Sequence, residues 1–152
     1  MSLAIEPMQE SDLGEVLALE RDIFSDPWSM GMFREELSRK PPSLSLVARD
    51  AQGKLAGYLN AIAIYDELHI GNIAVRADLR REGIGGTLLS QALDHARRKA
   101  LILVTLEVRS ANQAALSFYD HFGFRSVAIR KQYYGDDDAV VMVLDLAVQA
   151  PP

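Results

Sequence analysis

The chain has 152 residues, a formal net charge of −5, 49% hydrophobic and 24% charged residues, and no cysteine. This length and composition suit one folded domain with a proper core, and the acidic balance disfavours a general nucleic-acid binder, which would be basic. The lack of cysteine excludes disulfides, thiolate metal sites and any cysteine-bound intermediate.

Residues 3–8 read as a short first strand. Asp12, with Glu15 three residues on, reads as the N-cap of a helix whose apolar stripe (Leu13, Val16, Leu17, Ile23, Phe24) is interrupted by Glu20. Asp26-Pro27-Trp28-Ser29 breaks that helix. Ser29 then caps a second one, with Phe33 and Leu37 on one face and Pro41-Pro42 as its stop. Residues 43–49 and 55–64 read as strands around the turn Gln52-Gly53. Residues 68–75, after Tyr65-Asp66-Glu67, read as the third strand of a meander.

From Gly85 the rhythm changes. Leu88, Leu89, Ala92, Leu93 and Ala96 have the spacing of an amphipathic helix, with Arg97, Arg98 and Lys99 where cations suit its C-terminal dipole. Residues 101–108 are apolar on both faces, as in a central strand covered on both sides. A short helix over about residues 112–122 follows, with Gly123 as its cap. Two strands, roughly 125–134 and 139–146, then flank the turn Gly135-Asp136-Asp137-Asp138. Repeats and linkers are lacking, so one α+β domain over residues 1–148 is expected, with a β-α-β crossover and a short tail at 149–152. Nothing resembles a signal peptide and no apolar run is long enough for a membrane span. A cytoplasmic protein without membrane contact is therefore expected.

The loop Arg80-Arg81-Glu82-Gly83-Ile84-Gly85-Gly86 lies between a strand and a helix. A helix N-terminus offers unpaired N–H groups and partial positive charge, glycines let a phosphate come close, and the arginines can add charge-assisted bonds. Read locally, the loop is either an anion site or a tight strand-to-helix turn with two solvated arginines. Neither nucleotide motif fits: a P-loop lacks its lysine before Thr87, and a Rossmann fingerprint would need glycine at Leu88. Glu107 breaks an apolar run near its C-terminal end, where ligands of α/β crossovers collect. It reads as a base or as a strand-end partner of Arg109 or another cation. Tyr119 lies on the stripe Ala115, Phe118, Tyr119, Phe122, and spacing alone favours a core tyrosine. Asn112 fits a helix N-cap. His69, His95 and His121 lack metal-like spacing. His95 and His121 read as helix-surface residues, and no metal is expected.

Arg80, Gly83 and Gly85 match Gln/Arg-x-x-Gly-x-Gly/Ala, and the pattern resembles the pyrophosphate loop of the GNAT superfamily of acetyl-CoA-dependent N-acetyltransferases. Asn72-Ile73-Ala74-Val75, Leu106-Glu107-Val108-Arg109, Asn112, Phe118-Tyr119 and Gly123-Phe124 match in order and spacing. Pro27-Trp28-Ser29, Asp66-Glu67 and residues 130–134 extend the resemblance to its RimI-like branch, which acetylates ribosomal-protein N-terminal alanine, over nearly the whole chain.

The resemblance implies a mixed, mostly antiparallel sheet of about seven strands with about four helices. It also implies acetyl-CoA as donor and a protein or peptide N-terminus, such as a ribosomal protein's, as acceptor. It gives Glu107 as general base and Tyr119 as proton donor to the thiolate. Coenzyme A contacts fall on Ile73, Ala74, Val75, Arg80, Arg81, Glu82, Gly83, Ile84, Gly85, Gly86 and Asn112, with the backbone N–H near Val75 facing the thioester oxygen. The acceptor side is expected at Trp28, Tyr65, Glu67, Gly71, Tyr133 and Tyr134, with Phe33 and Asp66 nearby. Asp136-Asp137-Asp138 reads as a solvated turn, or as an attractor of cationic peptides. Gly71 departs from the larger apolar residue usual in the branch, which would enlarge the pocket for the acceptor's first side chain. The alternatives are a GNAT enzyme acting on lysine or a small-molecule amine, and a noncatalytic coenzyme A-sensing module.

Overall fold

The structure, a computed structural model, describes residues 3–39 and 43–149. Pro41-Pro42 and the last three residues of the expected tail lie outside that range. In chain order the elements are β1 (Ala4–Pro7), α1 (Leu13–Ile23), α2 (Met30–Leu37), β2 (Leu44–Arg49), β3 (Leu55–Ile64), β4 (Glu67–Val75), α3 (Ile84–Arg98), β5 (Leu103–Arg109), α4 (Gln113–His121), β6 (Arg125–Arg130), β7 (Ala139–Asp145) and α5 (Leu146–Gln149). The seven strands form one sheet in the order β1-β2-β3-β4-β5-β7-β6. β4 and β5 pair in parallel across the α3 crossover, Glu67–His69 against Leu103–Thr105. β1–β2, β2–β3, β5–β7 and β6–β7 are antiparallel. This is the expected α+β sheet, with the short α5 added.

The chain divides into two compact units, residues 1–62 with 71–94, and residues 63–70 with 95–152. In the first unit, Leu13, Val16, Leu17 and Leu19 of α1 and Phe33 of α2 bury against Val47, Leu55 and Tyr58 of the sheet. Each such side chain contributes roughly 1.5–3 kcal/mol by leaving water. Glu20, which breaks the stripe in sequence, does not break it in space: it is 1% exposed. Its carboxylate accepts bonds from Tyr58 Oη, from Asn72 Nδ2 at 2.7 Å and from the Trp28 N–H at 2.9 Å. Burial, reinforced by the Glu20 bond, pushes the Tyr58 phenol well above the ordinary tyrosine range. Gly57 is needed for close approach: a Cβ there would stand 2.6 Å from the Ala74 carbonyl oxygen.

Two local expectations shift. A 3-10 turn over Glu10–Asp12 precedes α1, and the Asp12 carboxylate accepts the Gln9 N–H at 2.8 Å and an Arg49 bond rather than capping α1. α2 begins as expected, with Ser29 Oγ accepting the Met32 N–H. β6 ends at Arg130 instead of running to residue 134, because Gln132 (φ 51°) and Gly135 (φ 85°) take left-handed conformations that end extended pairing.

In the second unit β5 is covered as its apolar run predicts, with Val104, Thr105, Leu106 and Val108 buried. α4 closes on Gly123 at φ 97°. Leu146 N–H bonds the Ile102 carbonyl at 2.9 Å and begins α5.

Candidate active site

In the first unit the glycine loop follows a 3-10 turn, Ala77–Leu79, and leads into α3, which starts at Ile84. Two left-handed residues shape it, Arg81 (φ 70°) and Gly83 (φ 81°). Arg80, Arg81, Glu82 and Gly83 are exposed, Ile84 is buried, and Gly85 and Gly86 are half-buried. The Glu82 N–H bonds back to the Leu79 carbonyl at 3.3 Å, so it serves the turn. Thr87 ties the first turn shut, its N–H and Oγ1 both donating to the Gly83 carbonyl, at 3.0 and 2.9 Å. The first-turn amides at Ile84, Gly85 and Gly86 are those that helix geometry leaves without intrahelical partners. Ile73, Ala74 and Val75 form the end of β4.

Trp28 and Gly71 are brought together in the first unit, and this corrects the expectation of extra room at Gly71. The Trp28 ring fills that space, with Cζ2 at 3.1 Å and Cη2 at 3.3 Å from where a Gly71 Cβ would stand. The Trp28 ring also lies 5.1 Å from that of Phe33, which is fully buried as helix packing predicts.

In the second unit, β5 carries Glu107, half-buried, with Tyr133 Oη donating to its Oε1 at 3.4 Å. Tyr133 and Tyr134 meet edge-on, centroids 5.0 Å apart, and the Arg109 guanidinium sits 4.3 Å over the Tyr134 ring. Burial, with Tyr133 and Glu107 beside it and Arg109 opposing, pushes Tyr134 up to about 12. Tyr119 is 6% exposed, edge-on to Phe118 at 5.1 Å and Phe124 at 5.6 Å. Burial, with Tyr134 adding to it, holds its phenol well above the ordinary tyrosine range, so it keeps its proton. Asn112 caps α4, its Oδ1 accepting the Ala115 N–H at 3.1 Å.

The three aspartates of the β6–β7 turn are a clamp rather than a merely solvated turn. Asp136 takes Arg109 Nη1 at 2.8 Å, Asp137 takes Ser110 Oγ at 2.6 Å and the Ala111 N–H at 3.1 Å, and Asp138 takes the Gln132 N–H at 2.9 Å. These bonds hold all three carboxyls below the usual carboxylate range. They fasten the turn carrying Tyr133 and Tyr134 to the end of β5. Sequence reading missed this clamp; its signal was three acids facing Arg109-Ser110 across two strand ends.

Tyr65 stands 98% exposed with φ 56°. Glu67 Oε1 lies 3.3 Å from His69 Nε2. His121 is exposed and His95 half-buried, with burial and then Lys99 and Arg98 lowering the His95 pKa. Among the described residues, no group of three or more His, Asp or Glu side chains is placed to hold a metal ion, and no helix is long and apolar enough to cross a membrane.

A family model described as the acetyltransferase (GNAT) family matches residues 13–124. The chain is 30% identical over 148 residues to the ribosomal protein bS18-alanine N-acetyltransferase of Escherichia coli, covering 95% of this chain and 98% of that protein. The crystal structure of the Escherichia coli ribosomal-protein-alanine N-acetyltransferase is similar with a TM-score of 0.86 at 30% identity, over 95% of this chain and 94% of that one. A chain of the NatC complex, solved bound to Gag peptide and CoA, gives a TM-score of 0.85 at 25% identity, over 95% and 99%.

Proposed function

The chain belongs to the acetyltransferase (GNAT) family, and from that premise we infer that it moves the acetyl group of acetyl-CoA onto the α-amine of a protein whose first residue is alanine, a ribosomal protein in particular. The observation that carries this reading is the similarity, over nearly both full lengths, to an enzyme named for that acceptor. Residues 1–148 serve as one acetyltransferase domain, and a ribosomal acceptor places the reaction in the cytoplasm.

Acetyl transfer needs a deprotonated amine, a donor to the thioester oxyanion and a proton for the departing thiolate. Glu107 takes the amine proton. Tyr119, whose burial keeps it protonated, gives its proton to the departing coenzyme A thiolate. The loop from Arg80 to Gly86 holds the pyrophosphate, and Glu82 serves it by shaping the turn through its N–H bond to the Leu79 carbonyl. Ile73, Ala74 and Val75 receive the pantetheine end, a backbone N–H near Val75 serves the oxyanion, and Asn112 adds a coenzyme contact beside its capping role. To the acceptor we assign Trp28, Tyr65, Glu67, Gly71, Tyr133 and Tyr134.

An α-amine titrates near ~8 and a lysine near ~10.4, so the first asks roughly 3 kcal/mol less of the base. That supports an N-terminal acceptor over lysine. A base and a buried proton donor together favour an enzyme over a sensing module.

Transfer is direct, in a ternary complex, since the chain has no cysteine to carry an acetyl group. Initial velocities measured against both substrates should therefore give intersecting double-reciprocal lines. Parallel lines, the mark of a ping-pong enzyme, would overturn direct transfer.

A further inference from the structure

A carboxylate is an expensive way to fill a buried position on a helix stripe, and it is tolerated only where donors satisfy it. Glu20 on α1 has donors from three separate segments: the Tyr58 hydroxyl of β3, the Asn72 amide of β4 and the Trp28 backbone N–H of the α1–α2 loop. Its two oxygens divide the work. Oε1 takes Tyr58 and Asn72, and Oε2 takes Trp28.

The Trp28 side chain is held by other contacts of the same circuit. Its ring rests on Gly71, the residue before Asn72, and packs on Phe33. Phe33 in turn lies edge-on to Tyr58, centroids 6.0 Å apart. The backbone and the ring of Trp28 are thus fixed by two routes that meet at one carboxylate.

We propose that Glu20 is a positioning residue for the acceptor: it seats the α1–α2 loop so that the Trp28 ring lies against Gly71. This rests on the reading of Trp28 as an acceptor-facing residue. Glutamine at position 20 would keep the size but replace one accepting oxygen with an N–H₂ group, which cannot serve the donors that oxygen received. With the N–H₂ toward the loop, the Trp28 N–H loses its acceptor; with it toward the sheet, the Asn72 amide loses its own; either way the seat of the loop weakens while the rest of α1 keeps its packing.

Trp28 is the chain's only tryptophan, so its fluorescence reports on the seat directly. In Glu20→Gln that retains wild-type far-UV circular dichroism, acrylamide quenching of Trp28 should rise severalfold. The acceptor KM should rise about tenfold, the scale of one lost charge-assisted bond, while the acetyl-CoA KM holds. Unchanged quenching, or two KM values rising together, would overturn the proposal. If Glu20→Gln does not fold, Tyr58→Phe removes one donor and keeps the ring. It should shift quenching and acceptor KM in the same direction by less, and no shift in either would count against Glu20. A wild-type protein that acetylates no peptide defeats the proposed function, and the fluorescence arm still decides whether Glu20 holds Trp28.

Discussion

Glu107→Gln is expected to lower kcat by about 10²- to 10⁴-fold, the span of a lost general base. The side chain stands half-buried on β5, between the buried Leu106 and Val108, with the Tyr133 hydroxyl 3.4 Å from one oxygen. Glutamine keeps the volume and an oxygen to accept that bond, so the change removes little except the capacity to take a proton. The acetyl-CoA KM should stay near its wild-type value, because the amide still fills the site. An equal fall in kcat and in kcat/KM for the acceptor would mark an interaction made in the transition state. Steady-state rates with both substrates varied give the result, and an unchanged kcat would remove Glu107 as the base.

Tyr119→Phe should lower kcat by about 10²-fold or more, the lower end of what a positioned proton donor contributes. The ring contacts to Phe118 and Phe124 survive the change, so the variant should fold and melt close to wild type. The pH dependence makes the role specific. The Tyr119 phenol is raised, which favours the proton-bearing form, so the donor stays loaded well above ~10, where an exposed tyrosine ionises. The wild-type rate should therefore show no loss near ~10 that Tyr119→Phe abolishes. A rate that breaks there in wild type alone, or a variant as fast as wild type, would contradict the assignment.

Periodicity made the sheet and its helices legible, because burial of apolar faces is written in the spacing of Leu88, Leu89 and Ala92 or in the run before Val108. Handedness was legible where glycine marks it, as at Gly123, and hidden where ordinary residues take the same conformation. Tyr65, Arg81 and Gln132 have positive φ without the composition that announces it, and Gln132 is why β6 stops early. The glycine loop and Glu107 stood out because each breaks its surroundings. Glu20 also broke its surroundings but read as a flaw in a stripe, since spacing cannot tell an exposed carboxylate from a buried one with three donors. Gly71 was misread for a related reason: a missing side chain suggests space, and only the fold reveals that Trp28 fills it. The aspartates of the β6–β7 turn needed the pairing of β5 with β7 before their partners Arg109 and Ser110 could be identified.

The central claim is tested most directly by mass spectrometry of a peptide with an N-terminal alanine and one internal lysine, incubated with saturating acetyl-CoA beside a copy whose α-amine is blocked. One acetyl group on the α-amine of the free peptide, and none on the blocked one, is the expected result. Acetylation that persists on the blocked peptide, or no transfer to either, would contradict it.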